Sequence, residues 1–293
     1  MRVCSHRPCK LGMAWADPIA SPARWKHDQR KTSALADKTA PQYRREVIVA
    51  HASDVHVDMT FNAQLFDGDS AGPLRAVLEA ARKSRADVVL LAGDTFDHHR
   101  LPDDVLLHTA ATMRAFDMPI VILPGNHDPA IEEAVFHHPA FARLDHVSIL
   151  GITHPDAVHL AHLDLEIWGR AHRDYGDMDP LAVVRERSTP WQIAMAHGHY
   201  EPQPDRSTRL RPSWLIGDDE LAATQADYVA LGHWNRRVEV GGGKVPAWYS
   251  GSPDYARSIN IVRLGGHGGV DVRRAPLDLP EGFGDGMLEG QEH

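Results

Sequence analysis

The sequence predicts an α/β fold, one domain built on two sheets. Three observations carry this. The first half alternates short unbroken apolar runs with amphipathic stretches. The second half has many shorter apolar runs and few helical ones. Glycine clusters at 241–243 and 265–269 separate the last of these. Runs that are apolar at every position, rather than at alternate ones, belong to strands buried on both faces, so something must cover the sheet.

The elements follow in order. VIVA at 47–50 is the first strand. A helix comes next over 73–85, with Leu74, Val77, Leu78 and Ala81 at i, i+3, i+4 and i+7 and Pro73 in its first turn. DVVLL at 87–91 is the second strand. Residues 102–116 form a helix with Val105, Leu106, Thr109 and Met113 on one face, and PIVIL at 119–123 is the third strand. Shorter strands are expected at 147–150, 163–168, 192–196, 228–231, 247–249, 259–263 and 270–273, with brief helices around 180–187 and 218–224. No internal repeat or interior linker divides them.

Composition narrows the class. Of 293 residues, 43% are hydrophobic and 24% charged, which excludes wholesale disorder. Both cysteines, Cys4 and Cys9, lie in the first ten residues, so the rest of the chain has no disulfide framework, cysteine–zinc site or cysteine nucleophile. No apolar run approaches the ~18 residues a membrane-spanning helix needs. A soluble, cytoplasmic protein with no membrane partner is expected. Residues 1–45 carry ten basic against three acidic side chains, are punctuated by prolines and lack periodicity. They read as a basic, disordered leader; residues 11–16 are too short for a secretory apolar segment. The domain then occupies 46–278, and 279–293 forms a flexible tail. Residues 46–293 hold 21 basic and 37 acidic groups, a net −16. So acidic a body is a poor general grip for a polyanion and suits a site that recruits cations.

The residues just beyond each strand point to that site. After the first come Asp54-Val55-His56, after the second Gly93-Asp94-Thr95-Phe96-Asp97, and after the third Gly125-Asn126-His127-Asp128. Later strands run into His197-Gly198-His199 and Gly232-His233-Trp234-Asn235. Loops at the carboxyl ends of strands converge on one crevice in open α/β sheets. Five such loops rich in Asp, His and Asn supply mixed oxygen and nitrogen donors for metal ions. A pair of divalent ions about 3.5–4 Å apart needs a bridging carboxylate and several further ligands, and the set is large enough. His197 emerges directly from its strand and is preferred to His199.

Asp-x-His, Gly-Asp-x-x-Asp, Gly-Asn-His-Asp, His and Gly-His-x-Asn, in that order over residues 47–255, resemble the motifs of the calcineurin-like metallophosphoesterase superfamily. LAGDTFD at 91–97, DYVALGH at 227–233 and AWYSGSP at 247–253 are similar to its double-strand-break repair nucleases and their bacterial DNA repair exonuclease-like relatives. The resemblance implies a four-layer α/β/β/α sandwich of two mixed sheets, with 46–278 as the metallophosphoesterase domain. It implies two divalent ions, manganese foremost with iron or zinc as alternatives. By position, Asp54 and His56 hold the first ion, Asp94 bridges, and Asn126, His197 and His233 complete the second. His127 contacts the scissile phosphate and protonates the leaving oxygen, while Asp97 and Asp128 orient imidazoles. One position departs from the pattern. Where the family has a second histidine in its last block, the chain has Asn235, a neutral and weaker donor for the first ion.

The expected function is metal-dependent hydrolysis of phosphoesters, chiefly phosphodiesters, by an activated water and without a phospho-enzyme. Exonuclease-like action on nucleic acid is the finer expectation. The −16 body and the absence of a recognisable segment for an ATPase partner weigh against it. The alternative is a catalytically weakened scaffold or regulatory binding protein on the same fold.

Overall fold

In VVLLA at 88–92 every residue is buried, and the side chains divide by parity. Val89 and Leu91 join one apolar cluster, while Val88, Leu90 and Ala92 join another. Ile120 and Ile122 likewise part from Val121 and Leu123. This is the period-two geometry of a strand with cover on both faces, and it explains why these segments carry no polar alternation.

The computed structural model describes residues 46–281 except 59, 175, 177, 183–184, 208–213 and 266–268. The leader expected over 1–45, and residues 282–293 of the expected tail, lie outside the described residues. The strands are β1 (Val47–Ala52), β2 (Val88–Ala92), β3 (Ile120–Leu123), β4 (Val147–Ile149), β5 (Ala157–Leu160), β6 (Leu165–Gly169) and β7 (Trp191–His197), then β8 (His199–Tyr200), β9 (Leu215–Ile216), β10 (Tyr228–Gly232), β11 (Val238–Val240), β12 (Ala247–Tyr249), β13 (Ser258–Leu264) and β14 (Val270–Pro276). The helices are α1 (Thr60–Leu65), α2 (Gly72–Lys83), α3 (Asp103–Arg114), α4 (Asp218–Ala223) and α5 (Pro253–Ala256).

Two six-stranded mixed sheets result, ordered β14-β13-β1-β2-β3-β4 and β11-β12-β10-β7-β6-β5. Each has four parallel neighbours (β1 to β4; β12, β10, β7 and β6); the antiparallel pair β13 and β14 extends the first on one side, and β11 and β5 flank the second as antiparallel edge strands. Three apolar clusters separate four layers. Leu74, Val77, Leu106 and Met113 of α2 and α3 pack on Val89, Leu91 and Ile122. The sheets meet through Val88, Leu90, Val121, Ile167, Ile193, Met195 and Tyr228. Outside the second sheet, Leu221 of α4 packs with Ala194, Val229 and Leu231. The expected α/β/β/α sandwich is what forms. Among the described residues no helix is long and apolar enough to cross a membrane.

One expected helix does not form. Around 180–187 the described residues are turns and irregular backbone. Arg185 Nε instead donates to Glu166 Oε1 at 2.5 Å, Ser188 Oγ to Glu166 Oε2 at 3.1 Å and Gln192 Nε2 to the same oxygen at 3.0 Å. Glu166 is fully buried on β6, and a buried carboxylate requires such partners; satisfying it outweighs a weak helical pattern.

A second buried polar group is a stability device. His51 on β1 is fully buried, with Nδ1 2.9 Å from Tyr228 Oη and Nε2 3.2 Å from the Leu231 carbonyl. Burial pushes its imidazole down to about 3, although the Leu231 hydrogen bond acts in the opposite direction. The unfolded chain takes this proton near pH 6.5 and the folded one only near 3. Its contribution is therefore complete above about pH 6.5 and lost on acidification, by about 1.4 kcal/mol per pH unit. Urea unfolding at pH 7.5 and 5.5 in chelator should show the wild type losing about 1.4 kcal/mol more than His51→Gln. Equal losses would contradict this.

Candidate metal centre

The parallel strands β1, β2, β3, β7 and β10 all end at one crevice between the sheets. There the chain reverses at once, and it does so with residues of positive φ: Asp54 at 53°, His56 at 48°, Asp94 at 52° and His233 at 105°. Non-glycine residues adopt this conformation at a cost of about 1–3 kcal/mol each unless the surroundings over-determine it. Here they do. Asp54 N–H donates to the Gly93 carbonyl at 3.0 Å, His56 N–H to Asp94 at 3.1 Å and Val57 N–H to Thr95 at 2.9 Å, lacing the first two loops together. Gly93, at φ +91°, is obligatory, because a Cβ there would lie 2.0 Å from His197 Nδ1.

Asp94 is the centre of the arrangement. Its carboxylate is buried; Oδ1 accepts the His127 backbone N–H at 2.9 Å, and Oδ2 lies 3.1 Å from His197 Nε2. Ligand atoms of Asp54, His56 and Asp94 lie within 4.8 Å of one another, and so do those of Asp94, His197 and His233. Asp94 thus belongs to both sets. His197 Nδ1 sits 3.0 Å from the Ala92 carbonyl and so carries a proton, which leaves Nε2 as the nitrogen facing Asp94 and Asn126 Oδ1, 3.0 Å away. Fixing one ring nitrogen on a carbonyl to free the other is how metal-binding imidazoles are held. Asp54 accepts the His233 N–H on both oxygens, at 3.1 and 3.0 Å.

Charge supports a cation here. Burial works against charge on His197, yet Asp94, by proximity and hydrogen bonding, holds its imidazole up at about 9. His56 is likewise held at about 9, burial being overcome by Asp97, Asp94 and Asp54. Burial raises the Asp54 carboxyl, with Asp94 adding to it and His197 opposing. Asp94 is held well below the usual carboxylate range, its burial overcome by His197, His56 and His127. Burial and the neighbouring His197 depress His233 to about 3, leaving a neutral imidazole. Two buried carboxylates, an amide oxygen and three imidazoles thus converge, a donor set that fits divalent ions, whose binding displaces ligand protons.

The other residues predicted from sequence sit around this centre. Asp97 Oδ1 lies 3.4 Å from His56 Nδ1, a buried nitrogen with no well-formed hydrogen bond. His127 is exposed, its Nδ1 2.8 Å from the Asp97 carbonyl and its ring edge-on to His56 at 4.9 Å. Asp128 differs from expectation: among the described residues no imidazole is bonded to it. Its oxygens accept the Phe96 N–H at 3.0 Å and the Gly125 N–H at 2.7 Å, tying the second loop to the third. Backbone amides at that spacing take both oxygens, and burial with Asp94 nearby pushes its carboxyl up to about 7. His199 belongs to neither donor cluster; its ring is edge-on to His233 at 6.5 Å and its Nδ1 accepts Trp234 Nε1–H at 3.0 Å. Trp234 stacks on Tyr249 at 4.6 Å. Asn235 is exposed, and its backbone carbonyl accepts Ser252 N–H at 3.2 Å.

His172 is a residue that the loop motifs do not include. It is buried, 2.9 Å through Nε2 from the His197 carbonyl, with its ring 5.6 Å from that of His197. Burial and His197 depress it to about 4. It lies three residues beyond β6, another parallel strand, so the rule that finds the other loops reaches it too.

Comparison with known proteins agrees with this geometry. Residues 48–237 match the calcineurin-like phosphoesterase family model, and the chain belongs to that family of phosphoesterases, whose members use divalent metal ions. It is similar to the DNA double-strand break repair protein Mre11 of Archaeoglobus fulgidus, 23% identical over 204 residues, which is 63% of this chain and 45% of that protein. It is also similar to the D subunit of the nuclease SbcCD from Bacillus subtilis, 23% identical over 258 residues, 73% of this chain and 65% of that one. The chain therefore spans less than two thirds of the length of either. A crystal structure of a Staphylococcus aureus protein assigned as a 5′-nucleotidase, in complex with alpha-ketoglutarate, shares the fold with a TM-score of 0.51 at 15% identity, covering 80% of this chain and 54% of that one.

Proposed function

We propose that the protein is a two-metal phosphodiesterase acting on nucleic acid, with Asp94 bridging the ions. The observation that carries this is the membership of Asp94 in both donor clusters. Asp54 and His56 complete the first site on one side. Asn126, His197 and His233 complete the second on the other. Divalent ions bound there supply Lewis-acid polarisation of the phosphoryl oxygens and a water acidic enough to attack at neutral pH.

The chain's own residues do the rest. His127 Nδ1–H donates to the Asp97 carbonyl, which leaves Nε2 as the nitrogen available to a substrate. In its protonated form that nitrogen gives its proton to the departing oxygen as the phosphorus–oxygen bond breaks. The Asp94 contact to the His127 backbone ties the acid's position to the bridging ligand. Asp97 stands 3.4 Å from the His56 ring as its charge partner, and Asp128 fixes the loops that carry Asp94 and Asn126.

Chelation should abolish hydrolysis of bis(p-nitrophenyl) phosphate and of DNA. Mn²⁺ should restore it better than Mg²⁺, because imidazole donors suit softer ions. Undiminished turnover in chelator would refute the reading, and no turnover with any added divalent ion would favour the scaffold alternative.

A further inference from the structure

Outside the metal centre, an open pocket of about 460 Å³ is lined by Arg236, Arg237, Tyr255, Ala256 and Arg274. Three guanidinium groups face one space, and none has a carboxylate within ion-pair distance among the described residues. Arg75, Arg82, Arg100, Arg187, Arg206 and Arg263 each pair with an acidic side chain, as expected where acidic groups are in excess.

The three are nonetheless held in place, each by a neutral group that takes its Nε–H. Arg236 donates to Tyr255 Oη at 3.1 Å, Arg237 to Asn260 Oδ1 at 2.6 Å and Arg274 to Ser258 Oγ at 2.8 Å. Asn260 is fully buried on β13 and anchored in turn near Tyr228 Oη, at 3.4 Å. The Arg237 guanidinium also stacks over the Trp248 ring at 4.4 Å, and Arg274 Nη2 reaches the Ala256 carbonyl. Bonding through Nε leaves the outer edges of Arg236 and Arg237 for a ligand. A pre-oriented guanidinium fork with no internal anion is the geometry that recognises phosphate.

Arg236 and Arg237 lie on the same loop as His233 of the metal centre, between β10 and β11. Arg236 is three residues beyond His233, so their Cα atoms are at most about 11 Å apart. The Asn235 carbonyl is bonded to Ser252, which precedes α5, and Ser250 Oγ is 2.9 Å from Ser53 Oγ, next to Asp54. A strand of nucleic acid carries a phosphate every ~3.4 Å of helix axis, so one strand can place one phosphate on the metals and another on these arginines. We infer that Arg236, Arg237 and Arg274 form a subsite for a backbone phosphate of single-stranded nucleic acid flanking the one that is cleaved. The inference rests on the phosphodiesterase reading above and names its substrate class. It also reconciles a polyanionic substrate with a body of net −16: the grip is local.

Binding of a short fluorescein-labelled oligothymidylate by fluorescence anisotropy in chelator tests this without turnover. Arg236→Gln and Arg274→Gln should each raise Kd by at least about tenfold and lower the slope of log K against log salt by about 0.7. Arg263→Gln, which removes an arginine paired with Glu46, should not. Arg236 is exposed, so its variant is a safe one for folding, and melting curves check Arg274→Gln. Wild-type affinity in both variants, or equal weakening by Arg263→Gln, would overturn the subsite. If the wild type hydrolyses bis(p-nitrophenyl) phosphate with Mn²⁺ but does not bind the oligonucleotide, the subsite falls and the phosphodiesterase stands. If it binds through these arginines but hydrolyses neither substrate, the subsite stands and the catalytic reading falls.

Discussion

Asp94→Ala is expected to remove hydrolysis at metal concentrations that saturate the wild type. Asp94 stands in both donor clusters, so its loss weakens both ions. Each should bind worse by more than the roughly 10–100-fold that accompanies loss of an outer hydrogen-bonding partner. The same change leaves His197 Nε2 without the carboxylate 3.1 Å away, so the imidazole that Asp94 holds near 9 should fall back toward neutrality. Activity assays over a Mn²⁺ series check this. Wild-type turnover at wild-type metal concentration would show that the two clusters do not share a functional ligand.

His127→Ala should behave differently. It removes no ligand of the proposed pair, so metal content should stay the same. The kcat for substrates with poor leaving groups should drop by roughly 10²–10⁴-fold, the scale of general-acid catalysis. A nitrophenyl ester, whose leaving group departs without help, should lose far less. The structure also offers a competing role, since ligand atoms of His56, Asp97 and His127 lie within 4.8 Å of one another. Loss of bound metal in His127→Ala, with equal losses on good and poor leaving groups, would make His127 a ligand and not the acid.

The fold is legible where burial makes sequence one-sided. Strands β1, β2, β3, β7, β10 and β13 are apolar on both faces because each lies between two other layers, and α2 and α3 show a single apolar stripe. The five loops are legible for a related reason: polar and ionisable residues directly after such strands have no packing role. Short elements that are largely exposed are not legible, whereas β4, β12 and α4 form where the sequence places them. In β5, β8 and β11 most residues are exposed or half-buried. Helices α1 and α5 have six and four residues, too few for periodicity. The pull of Glu166 on Arg185 and Ser188 likewise depends on a contact across more than fifteen residues. Asp128 lies in the expected loop, but its partners are backbone amides, which no side-chain pattern announces. The arginine pocket is invisible in sequence for the same reason. Arg274 comes from β14 and Arg236 from the loop before β11, and only the packing of two sheets brings them to one space.

The central claim is a pair of ions of unequal affinity sharing Asp94, and calorimetric titration of chelator-treated protein with Mn²⁺ tests it most directly. The expected isotherm shows two ions per chain. The tighter belongs to Asp94, Asn126, His197 and His233. The weaker belongs to Asp54, His56 and Asp94, with Asn235 as a poor fourth donor. Asn235→His should tighten the weaker ion by about 1–2 kcal/mol. A single ion per chain, or two tight and equal ions that persist in Asp94→Ala, would contradict the account.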